Sequence, residues 1–174
     1  MQIELNEELR GRILDVGGGG EGIIGLRYGR QVIAIDNRQE ELDEAPDVCE
    51  KRLMDAQKLS FPAETFDHVT FFYSIMYMTR DTQEKALAEA YRVLKRGGTL
   101  RIWDAEFEAA YPEPFTVDLT VEIDGRTVQT TYGIVKNEAQ SALTVCQMAE
   151  KRRFTQIGLH RQQGQFFLIC RKIV

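Results

Sequence analysis

The hydrophobic positions along this 174-residue chain follow two rhythms, and the change falls near residue 105. Before it, short unbroken apolar runs alternate with helix-like stretches. Ile13-Leu14-Asp15-Val16 and Val32-Ile33-Ala34-Ile35-Asp36 lack the period-two alternation of a half-exposed strand. Such runs suit strands covered on both faces, as in a parallel sheet. The first passes directly into Gly17-Gly18-Gly19-Gly20-Glu21-Gly22, and a short helix is expected from Ile23 to Tyr28, ended by Gly29. A second short helix, Arg38 to Ala45, is stopped by Pro46. Arg52 to Ala56 reads as a weaker third strand and Phe66 to Tyr73 as a fourth, rich in aromatic residues. The longest helix is expected over Asp81 to Arg96. Asp81 and Glu84 have capping-box spacing, Leu87, Tyr91 and Leu94 share one face, and Gly97-Gly98 supply the stop. Thr99 to Asp104 is the fifth strand. Alternation of this kind predicts a doubly wound, mostly parallel sheet with right-handed crossovers.

After Asp104 the period becomes two. Phe115, Val117, Leu119, Val121 and Ile123 alternate with polar residues, Asp124-Gly125 intervenes, and alternation resumes through Val128, Thr130, Tyr132 and Ile134. This predicts an antiparallel hairpin, about 114–135, with a type I′ turn. Asn137 to Arg153 reads as a helix, and Thr155 to His160 with Gln165 to Arg171 as a final hairpin turning at Gly164. An isolated two-stranded ribbon is marginal, so the apolar face of the 114–135 hairpin needs a cover. Two covers are open: a lid or wall position over an acceptor site, and, slightly favoured, a contact between two subunits that would make a homodimer.

Composition narrows the classes. Hydrophobic residues at 43% and charged residues at 28% are ordinary globular usage, expected to form one domain over residues 1–174. A net charge of −5 gives no overall attraction for nucleic acid or anionic membranes. The first eight residues lack a signal-peptide pattern, and the most apolar run, Val69 to Met78, is too short to span a bilayer. Cys49, Cys146 and Cys170 are odd in number and far apart, without metal-ligand spacing, so reduced thiols and a soluble cytoplasmic protein are expected, with no metal site.

Candidate chemistry gathers at the strand ends. A glycine cluster after the first strand lets a ligand approach the backbone at the carboxyl edge of a parallel sheet. Gly17-x-Gly19-x-x-Gly22 also fits the dinucleotide fingerprint, and Asp36, 21 residues beyond Asp15, ends the second strand where a carboxylate would accept both hydroxyls of a ribose. A plainer role for Asp36 is to cap the helix that follows.

Three segments together resemble the class I S-adenosylmethionine-dependent methyltransferases, here as a small methyltransferase domain. They are Ile13-Leu14-Asp15-Val16-Gly17, the stretch Leu53-Met54-Asp55-Ala56 through Phe66-Asp67, and Arg92-Val93-Leu94-Lys95-Arg96-Gly97-Gly98-Thr99-Leu100. The resemblance covers about residues 12 to 106. It implies a seven-stranded Rossmann-like sheet, six strands parallel and the last antiparallel, with the hairpin inserted after the fifth strand. It also implies that S-adenosyl-L-methionine is bound. Asp15, Gly17 and Gly19 would pass its methionine and ribose parts, Asp36 would hold the ribose hydroxyls, and Asn37 would border the adenine. Asp55 and Ala56 would meet the adenine, and Tyr73 and Ser74 would lie near the methyl group.

Two departures from that family stand out. Glu21 occupies the place of a usual third glycine, where either it intrudes on the cofactor or Gly20 or Gly22 takes the role. The first strand is expected only about a dozen residues in, where many relatives carry N-terminal helices that cover the cofactor, so a partner or the hairpin would replace that cover. The residues name no clear catalytic base. Asp104, Trp103 and Tyr77 lie where strand ends would face an acceptor, His68 reads as structural, and His160 as solvated. The leading expectation is a methyltransferase acting on a small-molecule acceptor. An inactive cofactor-binding or scaffolding relative stands beside it, and a nicotinamide-dependent oxidoreductase behind both.

Overall fold

A computed structural model describes residues 2–108 and 110–173. Its main sheet grows from the buried apolar runs. The strands are β2 (Ile13–Val16), β3 (Val32–Asp36), β4 (Glu50–Leu53), β5 (Phe66–Phe72), β6 (Leu94–Ala105), β9 (Phe154–Gln162) and β10 (Gln165–Lys172), in spatial order β4-β3-β2-β5-β6-β10-β9. The first five of these in sequence pair in parallel, and β10 runs antiparallel to both of its neighbours. The order reverses direction at β2, which lies between β3 and β5. In sheets of this kind such a switch point opens a crevice beyond the strand ends.

The crossovers are α1 (Ile23–Tyr28), α2 (Gln39–Glu44), α3 (Arg80–Val93) and α4 (Ala142–Lys151). One face of the sheet is covered by α3 and α4. Ala86, Leu87, Ala90 and Val93 meet Leu14, Val69, Leu100 and Ile102 there, and Val145 and Ala149 pack beside them. The segment between β4 and β5 has no helix but belongs to this face through Leu59 and Phe61. Arg92 on α3 clamps it, donating to Phe61 O at 2.8 Å and Leu59 O at 2.9 Å.

The opposite face is covered in part by a second sheet. Strand β7 (Ala110–Ile123) pairs antiparallel with β8 (Arg126–Lys136), and β1 (Gln2–Glu4) adds in parallel to β7, with Gln2 opposite Thr120. Val117, Leu119, Val121 and Ile123 turn inward and are buried with Ile13, Ile24, Ala34 and Trp103. The hairpin's apolar face is thus covered by the chain's own main sheet. The turn has φ of 49° at Asp124 and 76° at Gly125, both in the left-handed region that a type I′ turn demands.

Several boundaries differ from the sequence expectation. Helix α3 begins one residue earlier, capped by Thr79, whose Oγ1 accepts from Thr82 N at 3.3 Å, rather than by a box on Asp81. It ends at Val93, because Leu94 is already extended and stands opposite Phe66. The glycine pair lies within β6 and does not stop the helix. Strand β4 sits earlier than Arg52–Ala56, so Asp55 and Ala56 fall in the loop beyond it. Strand β7 carries Pro112 and Pro114 through a register shift between Ala110 and Phe115. Helix α4 is confined to ten residues, starting from a reciprocal cap between Ser141 and Thr144.

Candidate active site

The carboxyl ends of β2, β3, β4 and β5 open onto one cavity of about 560 Å³, within the range of ligand sites. Its floor is the bend after β2. Gly17 N and Gly18 N both donate to Ile35 O, at 2.8 and 3.0 Å, which folds the chain back over β3. Gly17 has φ +74°, and a Cβ there would lie 2.4 Å from the Ser74 Cβ. At Gly19 a Cβ would lie 2.5 Å from Glu41 Cβ and 3.0 Å from Asp36 Oδ2. Only a residue without a side chain fits either place.

Asp36 closes β3 at the rim. Its Oδ1 accepts from Arg38 N at 3.0 Å, a local turn that precedes α2 rather than a cap on it, since Arg38 is the N-cap and no side chain caps the helix, while Oδ2 faces the glycine bend. Asn37 lies beside it on the cavity wall. Beyond β4, Met54 N donates to Asp36 O at 2.8 Å, and Asp55 Oδ1 accepts from Gln57 N at 2.8 Å. These bonds set Asp55 and Ala56 on the wall next to Asp36. Asp15 lies beneath the bend, fully buried and hydrogen-bonded by Thr70 Oγ1 at 2.7 Å. Burial, with a smaller contribution from the charge of Asp36, pushes its carboxyl up to about 7 despite the Thr70 bond.

The other wall begins where β5 ends. Tyr73 has φ 48°, a strained value for a side chain of this size. Its N–H donates to Trp103 O at 2.8 Å and its hydroxyl to Gln165 Oε1, which hold the ring buried beside the cavity. Ser74 Oγ donates to Val16 O at 2.7 Å, tying this loop to the end of β2. A 3₁₀ turn over Ile75–Tyr77 then presents a half-exposed Tyr77 to the cavity.

The eight residues singled out for cofactor contact, Asp15, Gly17, Gly19, Asp36, Asn37, Asp55, Ala56 and Tyr73, all line this one cavity. The strand-end candidates separate. Tyr77 lines it, whereas Trp103 is buried on the far face, stacked on Phe167 with centroids 4.3 Å apart. Asp104 lies behind the wall. It accepts from Met76 N at 3.2 Å, Ala105 N at 2.8 Å and Gln140 Nε2 at 2.9 Å, so it anchors the turn that carries Tyr77. Burial also pushes its carboxyl up to about 7. His68 is held between Thr99 Oγ1 and Arg10 O, and His160 lies exposed on β9.

Two contributors escaped the sequence reading. Tyr132 on β8 lines the cavity and stacks on Tyr73 at 5.3 Å with planes 10° apart. Its hydroxyl donates to Glu21 Oε2 at 3.1 Å, and Thr130 Oγ1 donates to Glu21 Oε1. Glu21 is therefore drawn toward the hairpin, which forms a wall of the site. The period-two pattern showed which face of β8 is apolar, but not that Tyr132 would meet residues 111 and 59 positions earlier in the chain.

A family model described as a methyltransferase domain matches residues 14–102, just over half of the chain. The chain belongs to this methyltransferase family. Its members are the class I S-adenosylmethionine-dependent methyltransferases, and the matched segment runs from β2 into β6, spanning most of the cavity floor and Tyr73. A ubiquinone/menaquinone biosynthesis C-methyltransferase, UbiE, from Rhizobium etli is 37% identical over 106 residues, covering 52% of this chain. The chain spans 40% of the length of that curated relative. Among solved structures, a SAM-dependent methyltransferase from Methanosarcina mazei has a TM-score of 0.68 at 19% identity, with 95% of each chain covered. One from Mesorhizobium loti has a TM-score of 0.65 at 14% identity, with 92% of this chain and 90% of that chain covered. These two likenesses are of fold. No described helix is long and apolar enough to cross a membrane.

Proposed function

We propose that this chain transfers a methyl group from S-adenosylmethionine to a small-molecule acceptor entering between Tyr73, Tyr77 and Tyr132. The observation that carries this reading is the convergence of the glycine bend, Asp36, Asp55 with Ala56, and Tyr73 on one cavity at the sheet's switch point. The residues present fit the donor. The bend is a cradle that a single Cβ would fill, and Asp36 Oδ2 faces it. A carboxylate accepting hydroxyl hydrogen bonds contributes about 1.5–3 kcal/mol for each, which suits a ribose diol. Asp55 and the Ala56 backbone would take the adenine edge, and Asp15, beneath the bend, would face the methionine part. At the donor end of the cavity three acids, Asp36, Glu41 and Asp55, stand against one base, Arg38, a balance that favours a cationic ligand.

When bound, the donor supplies a methyl group already activated on a sulfonium. The chain's own part is then largely positional. Such alignment supplies roughly 7–11 kcal/mol when the reacting atoms are held in line. Tyr73 and Ser74 fix one wall, and Asp104 and Gln140 hold the turn behind Tyr77. The hairpin, tied to the bend through Glu21 and to Met78 O through Lys136 Nζ at 2.6 Å, closes the other side. The three free cysteines fit a reducing, cytoplasmic location.

Isothermal calorimetry with S-adenosylmethionine and S-adenosylhomocysteine tests the reading. Saturable one-to-one binding of both is expected, and absence of heat at millimolar ligand overturns it.

A further inference from the structure

At the acceptor end of the cavity, away from Asp36 and Asp55, the acid outside any ion pair among the described residues is Glu21, whereas Glu41, whose charge also reaches Tyr77, is paired with Arg38. Glu21 stands there, and its two hydrogen-bond partners, Thr130 Oγ1 and the Tyr132 hydroxyl, are neutral. They orient the carboxylate without cancelling it. Among the described residues, no ion pair includes Glu21. The sole basic residue on the cavity lining, Arg38, is at the ribose end, paired with Glu41 at 2.9 Å. Lys136, the hairpin's nearby cation, is turned onto the carbonyls of Met76 and Met78 and does not line the cavity.

Around this carboxylate stand aromatic rings. Tyr132 is stacked on Tyr73, and Tyr77 leans across from the opposite loop, its hydroxyl meeting the Gly133 backbone. A carboxylate beside tyrosine faces attracts an ammonium through both its charge and the ring quadrupoles. A carboxylate or phosphate on the acceptor would meet Glu21 with no balancing cation at this end. A neutral acceptor would leave the buried side of Glu21 without a partner of opposite charge.

We infer that the acceptor is a small amine, held against the Glu21 carboxylate and the rings of Tyr77 and Tyr132; this rests on the methyltransferase reading above. For transfer, one N–H proton of the ammonium passes to Glu21 and on to water. The freed nitrogen lone pair forms the new N–C bond as the C–S bond breaks, its electron pair staying on sulfur, so the positive charge moves from sulfur to nitrogen and the products are the N-methylammonium and S-adenosylhomocysteine.

The test titrates the protein, saturated with S-adenosylhomocysteine, with three probes of one shape: benzylamine, benzyl alcohol and benzoate. Benzylamine is expected to bind at least about tenfold more tightly than the alcohol, and benzoate more weakly than either. Glu21→Gln, which keeps the side chain's shape, is expected to bring benzylamine down to the alcohol's level while S-adenosylhomocysteine affinity stays within about threefold; its melting temperature checks that it folds. Equal binding of amine and alcohol overturns the inference while leaving the methyltransferase reading standing. So does a tenfold loss of S-adenosylhomocysteine affinity in Glu21→Gln with 5′-methylthioadenosine unaffected, since the carboxylate would then serve the donor's own amino group. Failure of the unaltered protein to bind S-adenosylhomocysteine overturns both.

Discussion

Asp36 divides its carboxylate between its own chain and the cavity, with Oδ1 on Arg38 N and Oδ2 toward the glycine bend. Removing it forfeits two charge-assisted hydrogen bonds to a diol, about 3 kcal/mol at the lower end. Asp36→Ala should therefore bind S-adenosylhomocysteine about 100-fold more weakly by calorimetry. Asp15 and Asp104 make a different prediction. Burial raises both to about 7, so the folded chain keeps two protons that the unfolded chain has lost above its ordinary carboxylate range of about 4. Their contribution to stability is fully present below that range and is lost as pH rises through about 7. The melting temperature should fall between pH 5 and pH 8, and the double substitution Asp15→Asn, Asp104→Asn should flatten that slope in a thermal-denaturation series. Which residues were legible follows the same division. Asp36 and Asp55 stand next to strand ends, which local apolar runs mark. The partners of Glu21 lie more than a hundred residues away, and nothing in the local pattern reports them.

The elements divide by how local their causes are. The Asp124-Gly125 turn and the hairpin around it were readable because turn chemistry and period-two alternation are neighbour effects. Helix α3 was readable in its middle and misjudged at both ends. The extended backbone of Thr79 and its bond from Thr82 N outcompeted the Asp81–Glu84 spacing. The pairing of Leu94 with Phe66 overrode the stop expected from Gly97-Gly98. The hairpin's position as a wall was one of two readings the alternation left open, and the pattern alone did not choose it, since its cover is a sheet face assembled from distant segments. That role has a measurable consequence. Leu119 is 2% exposed on β7 and Leu87 is fully buried on α3. Leu119→Ala should cost about 3 kcal/mol, as much as Leu87→Ala, in urea unfolding. A loss below about 1 kcal/mol would mean the ribbon is only loosely attached.

At the scale of the whole molecule, two apolar clusters lie on opposite faces of one sheet and share its strands. Ile13 belongs to one cluster and Leu14 to the other, so neither face can be lost without disturbing β2. Unfolding should be a single cooperative event. Trp103, the one tryptophan, lies on the ribbon side, buried beside Phe167. Its fluorescence transition should coincide with the far-UV circular dichroism transition, which reports mainly the helices; separate midpoints would show that the faces melt independently. The mostly parallel pairing of the main sheet followed from alternating strands and helices, whereas β1 did not, because a three-residue strand gives too short a pattern to read.

That short strand has a consequence for how the chain is made. Gln2 pairs with Thr120 and Glu4 with Glu122, so β1 finds its neighbours only once the chain has been synthesised as far as Glu122. Until then Ile3 and Leu5, both buried in the finished fold, stay uncovered. An insertion beside Gln2 would sit at a seam that waits for β7, whereas β10 emerges with both of its partners, β6 and β9, already made.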